Sequence, residues 1–401
     1  MTVRRMTSQS EARGTRTVAA DAIMALIREL DLPRFTGSEG ERRGQEITAA
    51  RLAPVGLTAR WHECGAPWTE AVDASVTVAG ESRPVMPVEE LMQWTGDWAP
   101  PAEADVEGVL WPAGKLAEAP EGQPVIAVHT RPDAEACGAA GPVAQLYLFG
   151  ETPNLHPHAV LADPFGPPAY VREQDREWVQ ARVGQRARVR WRTRTTTRRF
   201  RNVWAEVPGP GEGAVLVGAH LDSFPGTPGA SDDAFGSAVL VELARWHASH
   251  PPARTLRFWW FTGEEVDRRG SRAAAEFERA TRPRALLMVN VDGGVEAGHG
   301  DPLGVRVTGG EEVIAWTRRA LSALAVAPQV REVQTGACDA EAFWRAGLPT
   351  VMPYATRAIP GPYPHLPTDN AGAVNPELVA RLAEIVFALV EAAVTQPPGP
   401  V

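Results

Sequence analysis

Cysteine is scarce. Only Cys64, Cys137 and Cys338 occur among 401 residues. An odd number with no CxxC spacing argues against both a disulfide framework and a structural zinc module, and fits a reducing compartment. Long apolar runs are also missing. The opening MTVRRMTSQSEARGTRT has early arginines but no apolar stretch of signal-peptide length behind it, and no later segment approaches a membrane span. A cytoplasmic chain with no membrane partner is therefore expected. Positive charge is not in excess: 40 Lys and Arg against 49 Asp and Glu give a net charge of −9. Nothing global draws the chain to nucleic acid or anionic lipid. No low-complexity tract and no internal repeat is evident. Hydrophobic residues at 44% and charged residues at 22% suit one large α/β domain, or a core domain plus a smaller one.

Along the chain, Val18, Ile23, Met24, Leu26, Ile27 and Leu30 recur near helical spacing and predict an amphipathic helix. Ser38 and Glu41 have capping-box spacing ahead of a second helix that runs to Leu52 and ends near Pro54. From about Arg60 to Arg192, short apolar runs (VIAVHT, AQLYLFG, PAYV) alternate with Pro, Gly, Ala and Glu clusters, which predicts a small inserted β-rich domain. Its Trp68, Trp94, Trp98 and Trp111 are read as core in preference to an entrance lining. The run QRARVRWRTRTTTRRFR carries arginines at alternate positions from Arg186 to Arg194. It reads as a solvated edge strand that uses charge to block pairing, in preference to a nucleic-acid surface.

After Asn202 the pattern becomes strand, loop, helix: AVLVGAH, helix Phe235 to Ala248, TLRFWWFT, helix Gly270 to Glu278, ALLMVNVD. GVRVT, a helix from Glu311 to Leu324, TVMPY and a last helix from Pro376 to Ala393 complete it. Continuous apolar strands alternating with helices predict an α/β fold, a mixed and mostly parallel sheet sandwiched by helices, with its chemistry at the strands' C-terminal ends. The expected division is 1–60 for the N-terminal helices, 61–192 for the insert and 193–401 for the catalytic domain.

Several polar residues stand where such strands stop. His220 ends AVLVGAH, with Asp222 two residues on; taken alone, that pair also suits simple hydrogen bonding. Asp232 and Asp233 precede a helix and taken alone suit capping. FWWFTGEEV ends an apolar strand in Glu264 and Glu265, two like charges that repel unless a cation or shared protons intervene. ALLMVNVDGG stops at Asp292. Strand tips on one sheet edge lie close together, so His220, Glu264, Glu265 and Asp292 converge and point to metal binding. His365, in the Pro- and Gly-rich GPYPHLPTDN, adds a second nitrogen donor, a mixture that fits zinc better than magnesium or calcium.

At this point HLDS, PGASDDAFG, GEE with GS five residues after the pair, NVDG, CDAEAFWRAGLP and PHLPTDN together resemble the successive motifs of the co-catalytic zinc aminopeptidases. That family also includes glutamate carboxypeptidases and glutaminyl cyclases. The resemblance spans roughly Ala214 to Asn370. It implies two zinc ions, one held by His220 and Asp292, the other by Glu265 and His365, with Asp232 bridging and Glu264 as general base. Asp222 would orient His220 through its other ring nitrogen. The segment ending at VREQDREWVQARVGQRARVRW resembles a protease-associated domain. Several relatives carry a Tyr just before the CDAEAF segment; here Thr335, Gly336 and Ala337 stand there, and Tyr363 or Tyr354 is expected to supply the hydroxyl. The expected activity is an aminopeptidase acting on a peptide substrate. A carboxypeptidase, a glutaminyl cyclase and a catalytically silent binding protein stay open, and the oligomeric state is not readable.

Overall fold

The computed structural model describes residues 20–87, 102–129, 141–148, 166, 168–281, 284–295, 299–325, 328–333, 338–357 and 365–399. Helix α1 (Ala20–Glu29) buries Ile23, Met24, Leu26 and Ile27, the face that the apolar spacing predicts. In α2 (Glu39–Leu52) the Ser38 side chain accepts the Glu41 amide at 3.2 Å. Glu41 reaches back one residue further than a capping box, to the Gly37 amide at 2.6 Å.

Among the described residues the strands form one sheet of 13. Its backbone is a two-stranded ribbon, β1 (Arg60–Val78) antiparallel to β7 (Arg186–Val207), paired from Arg60↔Trp204 to Val78↔Ala187 with a register shift between Ala71 and Asp73. At one end of the ribbon, β7 pairs antiparallel with β9 (Arg254–Phe261). Strand β9 continues in parallel through β8 (Gly211–His220), β10 (Ala285–Asn290) and β13 (Thr350–Arg357). Beyond them β11 (His299–Thr308) runs antiparallel to β13 and β12 (Gln329–Glu332) parallel to β11.

The central strands β8, β9 and β10 are largely apolar because both faces are covered. Val215, Val217, Phe258 and Trp260 join a core with α1, α4 (Phe235–Ser249) and α8 (Pro376–Thr395). Leu216, Trp259, Phe261 and Met288 pack oppositely, against residues of α5 (Arg269–Thr281) and α7 (Ala340–Arg345). A further helix, α6 (Gly310–Ala320), lies beside β11 and β12.

At the ribbon's other end, β2 (Glu81–Pro87), β6 (Pro168–Val171), β5 (Ala144–Leu148), β4 (Val125–His129) and β3 (Glu103–Pro112) lead from β1 back to β7. The pairing closes on itself around a separate core of Val76, Leu110, Ile126, Leu146, Val189 and Trp191. The short helix α3 (Arg176–Gln180) packs Val179 into it. The sequence-drawn boundaries at 60/61 and 192/193 fall inside β1 and β7, which pass between the two halves without a linker.

The arginine-rich run is not an edge. Residues 186–192 of β7 lie between β1 and β3. The alternation was read correctly, since Ala187, Val189 and Trp191 are buried, but the flanking strands are acidic. Arg188 meets Asp105, Arg190 meets Asp73, and Arg194 meets Glu70 at 3.0 Å, so opposite charge across neighbouring strands replaces the repulsion expected of an edge. Trp68 is core, packed with Phe200 and Val266. Trp111 is half-buried and donates its indole N–H to the Lys115 carbonyl at 2.8 Å. Trp94 and Trp98 lie outside the described residues. No described helix is long and apolar enough to cross a membrane.

Candidate metal centre

Parallel register brings three strand tips together. His220 is the last residue of β8 and pairs with Phe261, the last of β9, while Asn290 at the end of β10 pairs with Gly218. Glu264 and Glu265 follow β9 and Asp292 follows β10, so all stand on the same sheet edge. Asp232 comes from the turn Ala230–Ala234 before α4. His365 enters from a loop in a left-handed conformation (φ 70°), its ring stacked on Phe224 at 4.5 Å and 9°.

Asp232 lies at the centre. Its Oδ1 is 2.9 Å from His220 Nε2 and its Oδ2 is 3.3 Å from His365 Nε2. Asp292 Oδ1 stands 4.0 Å from His220 Nε2, and Glu265 Oε2 stands 3.1 Å from His365 Nε2. Two triplets, His220/Asp232/Asp292 and Asp232/Glu265/His365, each have their donor atoms within 4.8 Å of one another and share Asp232. His220, Glu264 and Glu265 satisfy the same limit. The six residues expected as metal ligands or general base, His220, Asp232, Glu264, Glu265, Asp292 and His365, are thus in one place.

Electrostatics fit a cation. Burial opposes a charged His220, but the hydrogen bond and charge of Asp232, with Asp233 and Glu264 nearby, hold its pKa well above the imidazole range. His365 is raised in the same way, against burial, by Glu265 and Asp232. Glu264 is pushed well up by burial and by Asp339, Asp292 and Glu265, and Asp292 is pushed up to about 6, chiefly by burial. Asp232 is held below its usual range, because the two imidazoles outweigh its desolvation. Glu265 Oε1 is buried with no hydrogen-bond partner, an expense that a cation removes. Two imidazoles among carboxylates form a donor set that suits zinc.

Asp222 meets the second ring nitrogen of His220 through its backbone. His220 Nδ1 hydrogen-bonds the Asp222 backbone carbonyl at 3.0 Å, while the carboxylate stands off at 3.8 Å. That carboxylate instead accepts the amides of Glu264 at 3.1 Å and Glu265 at 3.3 Å and the Thr36 hydroxyl at 2.7 Å. It pins the two-glutamate turn.

Sequence reasoning missed the other buried braces. Asp233 Oδ1 accepts the Gly293 amide at 3.2 Å, beside Asp292. Asp369 holds the Asp232 turn. Arg34, fully buried, donates to the carbonyls of Leu221 at 2.8 Å and Gly229 at 3.0 Å. The only signals were Asp369 lying inside the PHLPTDN motif and Asp233 lying beside Asp232; LPRFTG reads as a plain turn. Tyr354, offered as a hydroxyl donor, lies across Gly304 with the Arg306 guanidinium 4.8 Å from its ring centre. Tyr363, Thr335, Gly336 and Ala337 lie outside the described residues.

A mixed, mostly parallel sheet between helices, with a shared carboxylate between two histidines at its strand tips, defines an α/β protein whose strand-tip side chains could hold cations. Residues 202–390 match the model of peptidase family M28, which bears out the family resemblance drawn from the motifs. A probable leucine aminopeptidase of Arthroderma otae is 26% identical over 200 residues, covering 46% of this chain and 55% of that protein. The chain thus spans about half the length of the first curated relatives it matches. Aminopeptidase YwaD of Bacillus subtilis is 23% identical over 390 residues, covering 92% of this chain and 83% of that protein. Among solved structures, a zinc aminopeptidase from Bacillus subtilis superposes with a TM-score of 0.67 at 21% identity, covering 93% of this chain and 95% of that one. An aminopeptidase from Aneurinibacillus gives 0.62 at 20%, covering 95% and 94%. The fold is the one these peptidases share.

Proposed function

We propose that the chain is an aminopeptidase that removes N-terminal residues from peptides at a two-zinc centre. His220 and Asp292 would hold one ion, Glu265 and His365 the other, and Asp232 both. The observation that carries this reading is the pair of donor triplets sharing Asp232, one oxygen towards each imidazole. The curated relatives named above are a probable leucine aminopeptidase and an aminopeptidase, which supports the exopeptidase branch chosen.

Bound zinc supplies a water nucleophile at neutral pH and polarises the scissile carbonyl. The chain's own residues do the rest. Glu264, raised by burial and its acidic neighbours, takes the proton of the attacking water and passes it to the leaving amine, a task that favours a pKa near the working pH. Asp222 keeps Glu264 and Glu265 in place through their amides, and the acidic rim receives the free α-amino group of the substrate. Residues 61–192 are assigned to a protease-associated-like domain, supported by its separate core. The low cysteine content supports a cytoplasmic location, which cell fractionation would test.

The test compares wild type with Glu264→Ala for metal content and for hydrolysis of aminoacyl-anilides and N-blocked peptides. About two zinc per chain in both, with turnover in the variant down roughly 10²–10⁴-fold, is expected. Failure to take up zinc, with no turnover, would make the chain a silent binding protein. One zinc with cyclisation of N-terminal glutamine would make it a cyclase, and cleavage of N-blocked peptides a carboxypeptidase.

A further inference from the structure

The turn that presents Asp232 closes its later amides on itself, Ala234 on the Gly229 carbonyl at 3.0 Å, but not its first ones. Gly229 is left-handed (φ 60°), and Asp232 (φ −123°, ψ 87°) and Asp233 (φ −136°, ψ 51°) are non-helical, so the first amides of the turn have no regular ladder to join. They end instead on one residue of the opposite loop. Asp369 Oδ1 accepts the Ser231 amide at 2.8 Å, its Oδ2 the Asp232 amide at 3.1 Å, and its backbone carbonyl the Ala230 amide at 3.2 Å. Asp369 is fully buried. It lies four residues after His365, in a loop closed by its own amide on the Leu366 carbonyl at 2.9 Å. One carboxylate therefore joins the two loops that carry His365 and Asp232.

We propose that Asp369 is a positioning residue that sets the spacing of Asp232 and His365 before any cation arrives, by gripping the Ser231 and Asp232 amides with its carboxylate. The inference rests on the two-zinc reading, because that spacing matters only if an ion sits between the two side chains. A carboxylate is needed for this grip. Each oxygen meets one N–H, and the buried Arg34 guanidinium supplies nearby positive charge. An amide of the same shape has one acceptor and one donor end, so it would turn an N–H towards an N–H.

The experiment is Asp369→Asn against wild type: zinc affinity by competition with a chromophoric chelator, melting of the zinc-free chains, and kcat and KM separately. Loss of the grip is expected to weaken zinc binding about 10–100-fold and to lower kcat with KM little changed. A merely structural role would lower the melting temperature and leave the zinc affinity of the folded molecules at the wild-type value, and that result overturns the proposal. A wild type that holds no zinc fails the metal reading and the inference together. A wild type with two zinc ions and a variant that binds them equally well fails Asp369 alone. Should the variant not fold, amide hydrogen exchange on zinc-free wild type decides. Slow exchange at Ser231 and Asp232 before zinc is added supports a preset turn, and fast exchange that slows only with zinc overturns it.

Discussion

Glu41 buries an acid with two duties. One oxygen takes the Gly37 amide at the start of α2; the other takes the hydroxyl of Thr262, just ahead of the Gly263–Glu264–Glu265 turn. Burial, and then the charge of Asp222, push its pKa up to about 8. An unfolded glutamate titrates near ~4.3. Between those values the folded chain binds the extra proton, so this residue's contribution to stability falls as pH rises from about 4.5 to about 8. Glu41→Gln imitates the protonated form. Its zinc-free melting temperature, relative to wild type, is expected to climb between about pH 5 and about pH 8. An offset that stays constant over that range would mean Glu41 is not the titrating group.

The turn after β9 is a unit built from both ends. Asn202 on β7 accepts the Thr262 amide and donates to the Gly270 carbonyl, each at 2.9 Å. Gly270 leaves room for this, since a Cβ there would lie 2.1 Å from the Thr262 carbonyl oxygen and 2.4 Å from Asn202 Oδ1. Gly270→Ala must spread the turn, at about 1–3 kcal/mol, and must shift Glu264 and Glu265. A lower melting temperature with reduced zinc content is expected; a variant that melts and binds zinc as wild type does would show the turn can absorb the methyl. The GS after the glutamate pair was visible as part of a motif, but its reason was not, because Asn202 approaches from 68 residues away. The arginine ladder of β7 carries the same lesson. Its alternation is local and legible, but its placement between two acidic strands depends on pairings with residues more than 80 positions distant.

For the whole molecule, the proposed zinc binding is expected to be linked to folding. The zinc-free chain holds a buried acid cluster with an orphaned Glu265 oxygen, so an ion bound only by the folded form stabilises it, by about 2.7 kcal/mol at 100 times Kd. Melting with zinc against melting with a chelator measures this, and equal curves would remove the cation from the fold's energetics. His220 and His365 are held above the usual range in the zinc-free chain and must shed protons to bind, so zinc affinity is expected to fall as pH falls through their raised pKa values. An affinity flat across mildly acidic pH would contradict that.

The sequence by itself determined the sheet that is apolar on both faces, the helices between its strands, and the polar residues at the strand tips. Each is a local fact: where an apolar run stops and which side chain stands at the stop. Parallel pairing then forces those stops together. Only the tertiary structure decided what holds them. Arg34 and Thr36 from the first loop and Asp369 on the Asp232 turn are contacts between segments far apart in the chain, and even the local choice of the Asp222 carbonyl over its carboxylate on His220 follows from Thr36 and the glutamate turn engaging that carboxylate. Asp369 reaches Ser231 across 138 positions. Such contacts leave no periodicity in a sequence, because a buried carboxylate can grip any backbone amide that the fold brings to it.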